Sequence, residues 1–126
     1  MTAVIDASVL LAAILAEPGG DFLDSPGELF HLSILNLAEV YTKAIEFGGA
    51  IEDVDLFIRP LAIRVRSFRE YHAQEVARLR PMTKHRGLGI GDRACIALGR
   101  ATKLPVYTAE RKWIGLDVDC DIRLIR

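Results

Sequence analysis

The stretch LGIGDRACIALGRATKLPVYTAERKW, residues 88–113, decides how the chain is read. Ala94, Ala97, Leu98 and Ala101 recur at i, i+3, i+4 and i+7, the spacing that gathers side chains on one face of a helix. The run Val106 to Thr108 then has the short, apolar character of a buried strand. An acid flanks each element: Asp92 precedes the helix and Glu110 follows the strand. The same arrangement opens the chain in VIDASVLLAAILAEPGG, residues 4–20, where Asp6 stands between a strand-like run and an apolar helix.

Outward from these two stretches, Ala3 to Ile5, Leu29 to Leu32, Ala62 to Val65 and Ile122 to Ile125 also read as strands. Helical patterns cover 7–16, 35–47, 52–59 and 69–80. Strands and helices alternating at this length predict an α/β fold, a parallel sheet covered on both faces. In such open sheets ligands bind beyond the carboxyl ends of the strands, near a topological switch point. Asp6 and Glu110 fall at strand ends of this kind.

A chain of 126 residues, 51% hydrophobic, is expected to form one domain over 1–126, with a core that needs no disulfide or metal to staple it. Cys95 and Cys120 lack CxxC or Cys/His ligand spacing, and Cys95 sits in an apolar helix, so a reduced, cytoplasmic setting is expected. The run ASVLLAAILA has no Lys or Arg before it and is too short to span a bilayer, so neither a secretory signal nor a membrane partner is expected. The net charge of −1 conceals a division. Residues 1–58 hold ten acids and one base, Lys43, whereas residues 59–93 hold nine bases and three acids. That asymmetry permits a basic surface beside an acidic one, as a polyanion-binding protein with metal-binding carboxylates would need; a solvated helix face is the plainer alternative.

Each acid also has an ordinary reading. Asp6 and Asp92 fit helix N-caps, Glu39 lies three residues after Asn36 as in a variant capping box, and Glu110 fits a first-turn acid beside Arg111 and Lys112. Caps have no reason to converge, whereas three of these acids follow strands that would end on one sheet edge. If they meet, an unneutralised pair at ~5 Å repels by about 3 kcal/mol at an effective dielectric near 20. Such a cluster calls for a cation, and all-oxygen ligands favour Mg²⁺ or Mn²⁺, whose natural chemistry is phosphodiester hydrolysis. Ser8 and Thr108 lie within two residues of Asp6 and Glu110, where a hydroxyl could bind phosphate or simply cap a helix. Arg93 could touch phosphate or neutralise the acids. GLGIGD does not fit GxGxxG, His31, His72 and His85 show no ligand spacing, and Trp113 packs or stacks on a base.

VIDASVLLAAILAEPG, LSILNLAEV, LGIGDRACIALGRATKLPVYTAERKW and DIRLIR together resemble the PIN domain, in particular the VapC-like ribonuclease toxins of type II toxin–antitoxin systems. The resemblance runs through nearly the whole chain and is most specific in GDRACIALG and LPVYTA. It implies a PIN-like three-layer α/β/α sandwich with a four- or five-stranded parallel sheet, and a Mg²⁺- or Mn²⁺-dependent endoribonuclease site. A cognate antitoxin that blocks the site and a homodimer are also implied. By position, Asp6, Glu39 and Asp92 match the family's acids and Thr108 its hydroxyl, while Glu110 stands where the family usually has Asp.

The expected function is therefore metal-dependent cleavage of RNA by a toxin. Asp6, Glu39 and Asp92 are its expected metal ligands, Glu110 a fourth catalytic acid, and Ser8, Thr108 and Arg93 its substrate contacts. Segments AAILAEPGGDFL and LFIRPL are candidates for the antitoxin groove. The alternative is a PIN-fold binding module with weak catalysis. Phosphotransfer on Asp6 ranks below both, because DAS lacks the second acid of a DxD motif.

Overall fold

A computed structural model describes residues 2–126. In chain order it contains β1 (Thr2–Ile5), α1 (Ala7–Ile14), β2 (Leu29–Ser33), α2 (Ile34–Glu46), α3 (Ile51–Ile58) and β3 (Ile63–Arg66). These are followed by α4 (Glu70–Arg78), α5 (Arg80–Thr83), α6 (Ile90–Thr102), β4 (Val106–Thr108) and β5 (Ile122–Leu124). Short 3₁₀ turns occupy Gly20–Asp24, Lys84–Arg86 and Arg111–Trp113.

All five strands run parallel in the order β3-β2-β1-β4-β5. The chain leaves the central β1 toward β2 and β3 on one side, then returns to β4 and β5 on the other. The switch point is therefore the crevice between β1 and β4, where Ile5 pairs with Tyr107. Asp6 and Thr108, the next residue of each strand line, face each other there.

Strand pleating divides the core into two layers. Ala3 and Ile5 of β1 join Val9, Leu10, Phe30, Leu32, Val40 and Val54 on the side of α1, α2 and α3. Val4, between them, joins Val76, Leu79, Ile96, Leu98, Val106 and Trp113 on the side of α4 and α6. The three-layer α/β/α sandwich follows directly.

Helix α6 presses close to the sheet because Gly99 has no side chain: a Cβ there would collide with the Val106 side chain and come within 2.9 Å of Cys120 Sγ. Its buried surface is wider than the spacing of Ala94, Ala97 and Leu98 suggested, taking in Cys95 and Ile96, and it leaves Ala101 exposed. The pattern read as one helix over 69–80 is broken at Leu79, whose side chain is fully buried, and resumes with Pro81 in the first turn of α5. Proline has no N–H to donate back into a preceding turn, so the break falls there. Among the described residues no helix is long and apolar enough to cross a membrane.

Candidate active site

Asp6 ends β1 and caps α1: its backbone is extended and Oδ1 accepts from the Val9 N–H at 3.3 Å. The helix cap is only part of its environment. Ser8 Oγ donates to Oδ1 at 2.6 Å and Thr108 Oγ1 donates to Oδ2 at 3.0 Å. Both hydroxyls are held from behind, Ser8 Oγ accepting from Ala109 N at 2.9 Å and Thr108 Oγ1 from Glu110 N at 3.0 Å. Asp6 is 3% exposed. Burial pushes its carboxyl up to about 7; the hydrogen bonds from Ser8, Thr108 and Val9 pull against burial, and the charge of Asp92 adds to it. Ser8 and Thr108, expected as substrate contacts, are thus engaged in orienting Asp6, and Thr108 is fully buried.

Asp92 is the third residue of α6, and its Oδ2 accepts from Gly89 N at 3.1 Å. The N-cap position belongs to Gly89, so Asp92 reaches back toward the helix start instead of capping it directly. Burial raises the Asp92 pKa, the Gly89 N–H and Lys112 lower it, Glu110 raises it and Arg93 lowers it. Lys112 Nζ lies 3.9 Å from Asp92 Oδ2.

Glu39 projects from α2 toward the start of α6. Its pKa is raised by burial and by Asp92, with the Asn36 amide acting the other way. The carboxylate lies so close over Gly91 that a Cβ on that residue would overlap Oε1. Asn36, fully buried, donates from Nδ2 to Gly91 O at 3.0 Å and locks α2 against α6. The variant capping box is overturned: α2 is capped by Ser33, whose Oγ accepts from Leu35 N at 3.3 Å, and Asn36 lies inside the helix.

Glu110 follows β4, is exposed, and leads the 3₁₀ turn Arg111–Trp113. Arg86 holds that turn by donating from Nη1 to the carbonyls of Lys112 and Ile114 at 3.0 and 3.2 Å. Trp113 is fully buried in the core, which removes the reading in which it stacks on a base. Arg93 donates from Nε to Gly89 O at 3.3 Å and from Nη1 to Val76 O at 3.0 Å, tying α4 to the start of α6.

Asp92 is the hub of the cluster: its charge raises Asp6 and Glu39, and it is raised in turn by Glu110. Among the described residues no group of three or more His, Cys, Asp or Glu side chains already stands in a metal-holding arrangement. The donor set nevertheless suits a hard divalent ion. It is carboxylate oxygen throughout, and all three pKa values are raised, chiefly by burial and secondarily by neighbouring carboxylates, with Lys112 and Arg93 acting the other way on Asp92. Asn36, Gly91, Lys112 and Arg86 were missed by sequence reasoning. Only the glycines of GLGIGD carry a signal, and they do not name the Glu39 carboxylate that Gly91 accommodates.

A five-stranded parallel sheet between two helical layers, with Asp6 buried at its switch point, defines the class of fold. A model of the PIN domain matches residues 3–118, and the chain belongs to that family. Solved structures share the fold. A toxin–antitoxin complex from Klebsiella pneumoniae aligns with a TM-score of 0.75 at 13% identity, covering 98% of each chain. A DNA-bound VapBC from Salmonella typhimurium aligns with a TM-score of 0.72 at 16% identity, covering all of both chains. A Sarcin-Ricin loop cleaving VapC toxin from Mycobacterium tuberculosis aligns with a TM-score of 0.71 at 15% identity, covering 95% of this chain and 99% of that one. No curated protein matched in sequence.

Proposed function

We propose that the protein is a Mg²⁺- or Mn²⁺-dependent endoribonuclease and the toxin of a toxin–antitoxin pair. The observation that carries this reading is the buried Asp6, gripped by Ser8 and Thr108 at the switch point and coupled through Asp92 to Glu39 and Glu110. Asp6, Glu39 and Asp92 would hold the ion and Glu110 would assist at the open side. Such an ion, when bound, would supply polarisation of the phosphorus centre and a water that gives up its proton readily and so can act as the nucleophile. The chain's own contribution is orientation. Ser8 and Thr108 fix both oxygens of Asp6, Gly89 fixes Asp92, and Gly91 makes room for Glu39. Lys112 and Arg93 add positive charge where a phosphate would approach Asp92.

The antitoxin partner is supported by an apolar groove of about 320 Å³ between α1, α2 and α3, lined by Leu11, Ile14, Leu15, Val40, Phe47 and Phe57. AAILAEPGGDFL and LFIRPL both contribute to it. Glu46, Glu52, Asp53 and Asp55 lie on the same two helices, so the antitoxin segment should carry basic flanks. Homodimerisation and a cytoplasmic location complete the reading by family resemblance.

Labelled single-stranded RNA incubated with the purified protein should be cut with Mn²⁺ or Mg²⁺, and should stay whole with chelator or with Asp92→Asn. The second reading, a binding module, is favoured by the exposed Glu110 in place of the family's usual Asp. Metal binding by calorimetry without cleavage of any of several structured and unstructured RNAs would establish it instead.

A further inference from the structure

We infer that the groove between α2 and α6 is a substrate subsite that seats the nucleotide adjoining the scissile phosphate, with Lys43 holding the next phosphate along the strand. The inference rests on the RNA-cleaving reading above.

The groove encloses about 330 Å³, and Leu35, Ala38 and Ile90 form its apolar part. Ile90 is 59% exposed although it is the first residue of α6, beside Gly91 and Asp92. An isoleucine more than half exposed beside Gly91 and Asp92 offers an apolar face to something that arrives. One end of the groove is Glu39 itself, so whatever lies in it is continuous with the candidate active site.

The other end is Lys43, which identifies the occupant. It is the only base among the first 58 residues, on a helix otherwise bearing acids, and it lines this groove. Four residues along α2 from Glu39, it sits one turn away on the same face, a rise of about 6 Å. A strand whose cleaved phosphate lies at Glu39 would place its next phosphate near Lys43 and its sugar and base across Leu35, Ala38 and Ile90. Thr42, also on the wall, adds a hydroxyl for the sugar edge. The Lys43 ammonium is paired with Glu46 at 3.3 Å, but both are about half exposed, and an exposed pair of that kind is readily exchanged for a phosphate. A peptide could fill an apolar slot, yet it would not explain a lone cation one helical turn from a phosphodiester-processing cluster.

The test compares wild type, Lys43→Gln and Ile90→Ser on a short single-stranded RNA with one cleavage site and on the same RNA made abasic, in turn, at each nucleotide flanking the cut. Lys43→Gln should raise KM several-fold with kcat kept, and should flatten the dependence of log KM on log salt by about 0.7, the loss of one single-strand phosphate contact. Ile90→Ser should raise KM on the intact RNA and make no difference on the RNA that lacks the base seated in the groove. Equal KM for all three proteins on intact RNA would overturn the assignment, as would a penalty from Ile90→Ser that persists on both abasic substrates. A change in oligomeric state or antitoxin capture by either variant, with KM unaltered, would assign the groove to a protein and overturn it as well. Failure of wild type to bind or cut RNA at all would defeat the nuclease reading itself, and this inference with it.

Discussion

Asp6 is a carboxyl group whose burial in the fold makes it hold its proton more tightly than a free aspartate does. Its pKa rises from 3.8 to about 7 on folding, so the folded chain binds this proton more tightly than the unfolded chain does. The resulting stability is complete below pH 4, declines as pH rises, and is gone once pH passes about 7, a loss of about 4 kcal/mol for a shift of this size. Thermal melts in chelator should therefore show stability falling between pH 4 and 7. Asp6→Asn should flatten that slope and melt higher than wild type at pH 8, while abolishing metal-dependent cleavage. A wild-type slope unchanged by the substitution would show that the titrating group lies elsewhere. Thr108→Val should act in the opposite sense. Removing the donor to Oδ2 and the acceptor for Glu110 N leaves two groups unsatisfied and costs about 1–3 kcal/mol, measured by denaturant titration at neutral pH.

At the scale of the element, the start of α6 and the middle of α2 behave as one fitted joint. Gly91→Ala should drive the Glu39 carboxylate out of place and reduce cleavage by about 10- to 100-fold, the range for residues that orient metal ligands, with far-UV circular dichroism unchanged. Unaltered cleavage by Gly91→Ala would mean that Glu39 has no part in the chemistry. Asp6 and Asp92 could be found in the sequence because each stands at the start of a helix with clear periodicity, whereas Glu39, inside α2, is marked only by the family resemblance of LSILNLAEV. The joint could not, since the Asn36 to Gly91 bond spans 55 residues and depends on how two helices cross. The same limit explains the misread capping box. Asn36 and Glu39 have the right spacing, but the polar Ser33 at the end of β2 starts the helix one turn earlier. Five of the nine bases of residues 59–93 likewise show their tasks only in three dimensions. Arg80, Arg86 and Arg93 hold backbone carbonyls, Arg78 pairs with Glu75 at 2.6 Å, and Arg66 donates to a His31 ring whose pKa is lowered by burial and by Arg66 and Arg64.

At the scale of the molecule, the acids lie at the switch point and the apolar groove of α1, α2 and α3 lies along one helical layer. That separation predicts that partner binding and chemistry can be uncoupled. Phe57→Asp, at a position 38% exposed on the groove, should abolish capture of the co-expressed antitoxin while leaving RNA cleavage by the free protein intact. Retained capture in a pull-down would place the antitoxin on another surface. The order of the five parallel strands was only partly legible. Alternating strands and helices imply a parallel sheet, but which strand takes the centre is settled by how β1 is covered, with Ala3 and Ile5 buried on one side and Val4 on the other.

Among the described residues, β1 takes the centre of the sheet, and β4, the strand that completes its pairing, comes much later in the chain. Asp6 and Thr108 stand 102 residues apart in the chain and 3.0 Å apart in the fold. While the ribosome is still adding residues before Val106, β1 has one open edge, Asp6 lacks its second hydroxyl and the acid cluster has no floor. On the RNA-cleaving reading proposed above, the site is thereby incomplete until β4 has been made. Chains stalled before β4 should be inert toward RNA, and activity should appear once β4 docks on β1.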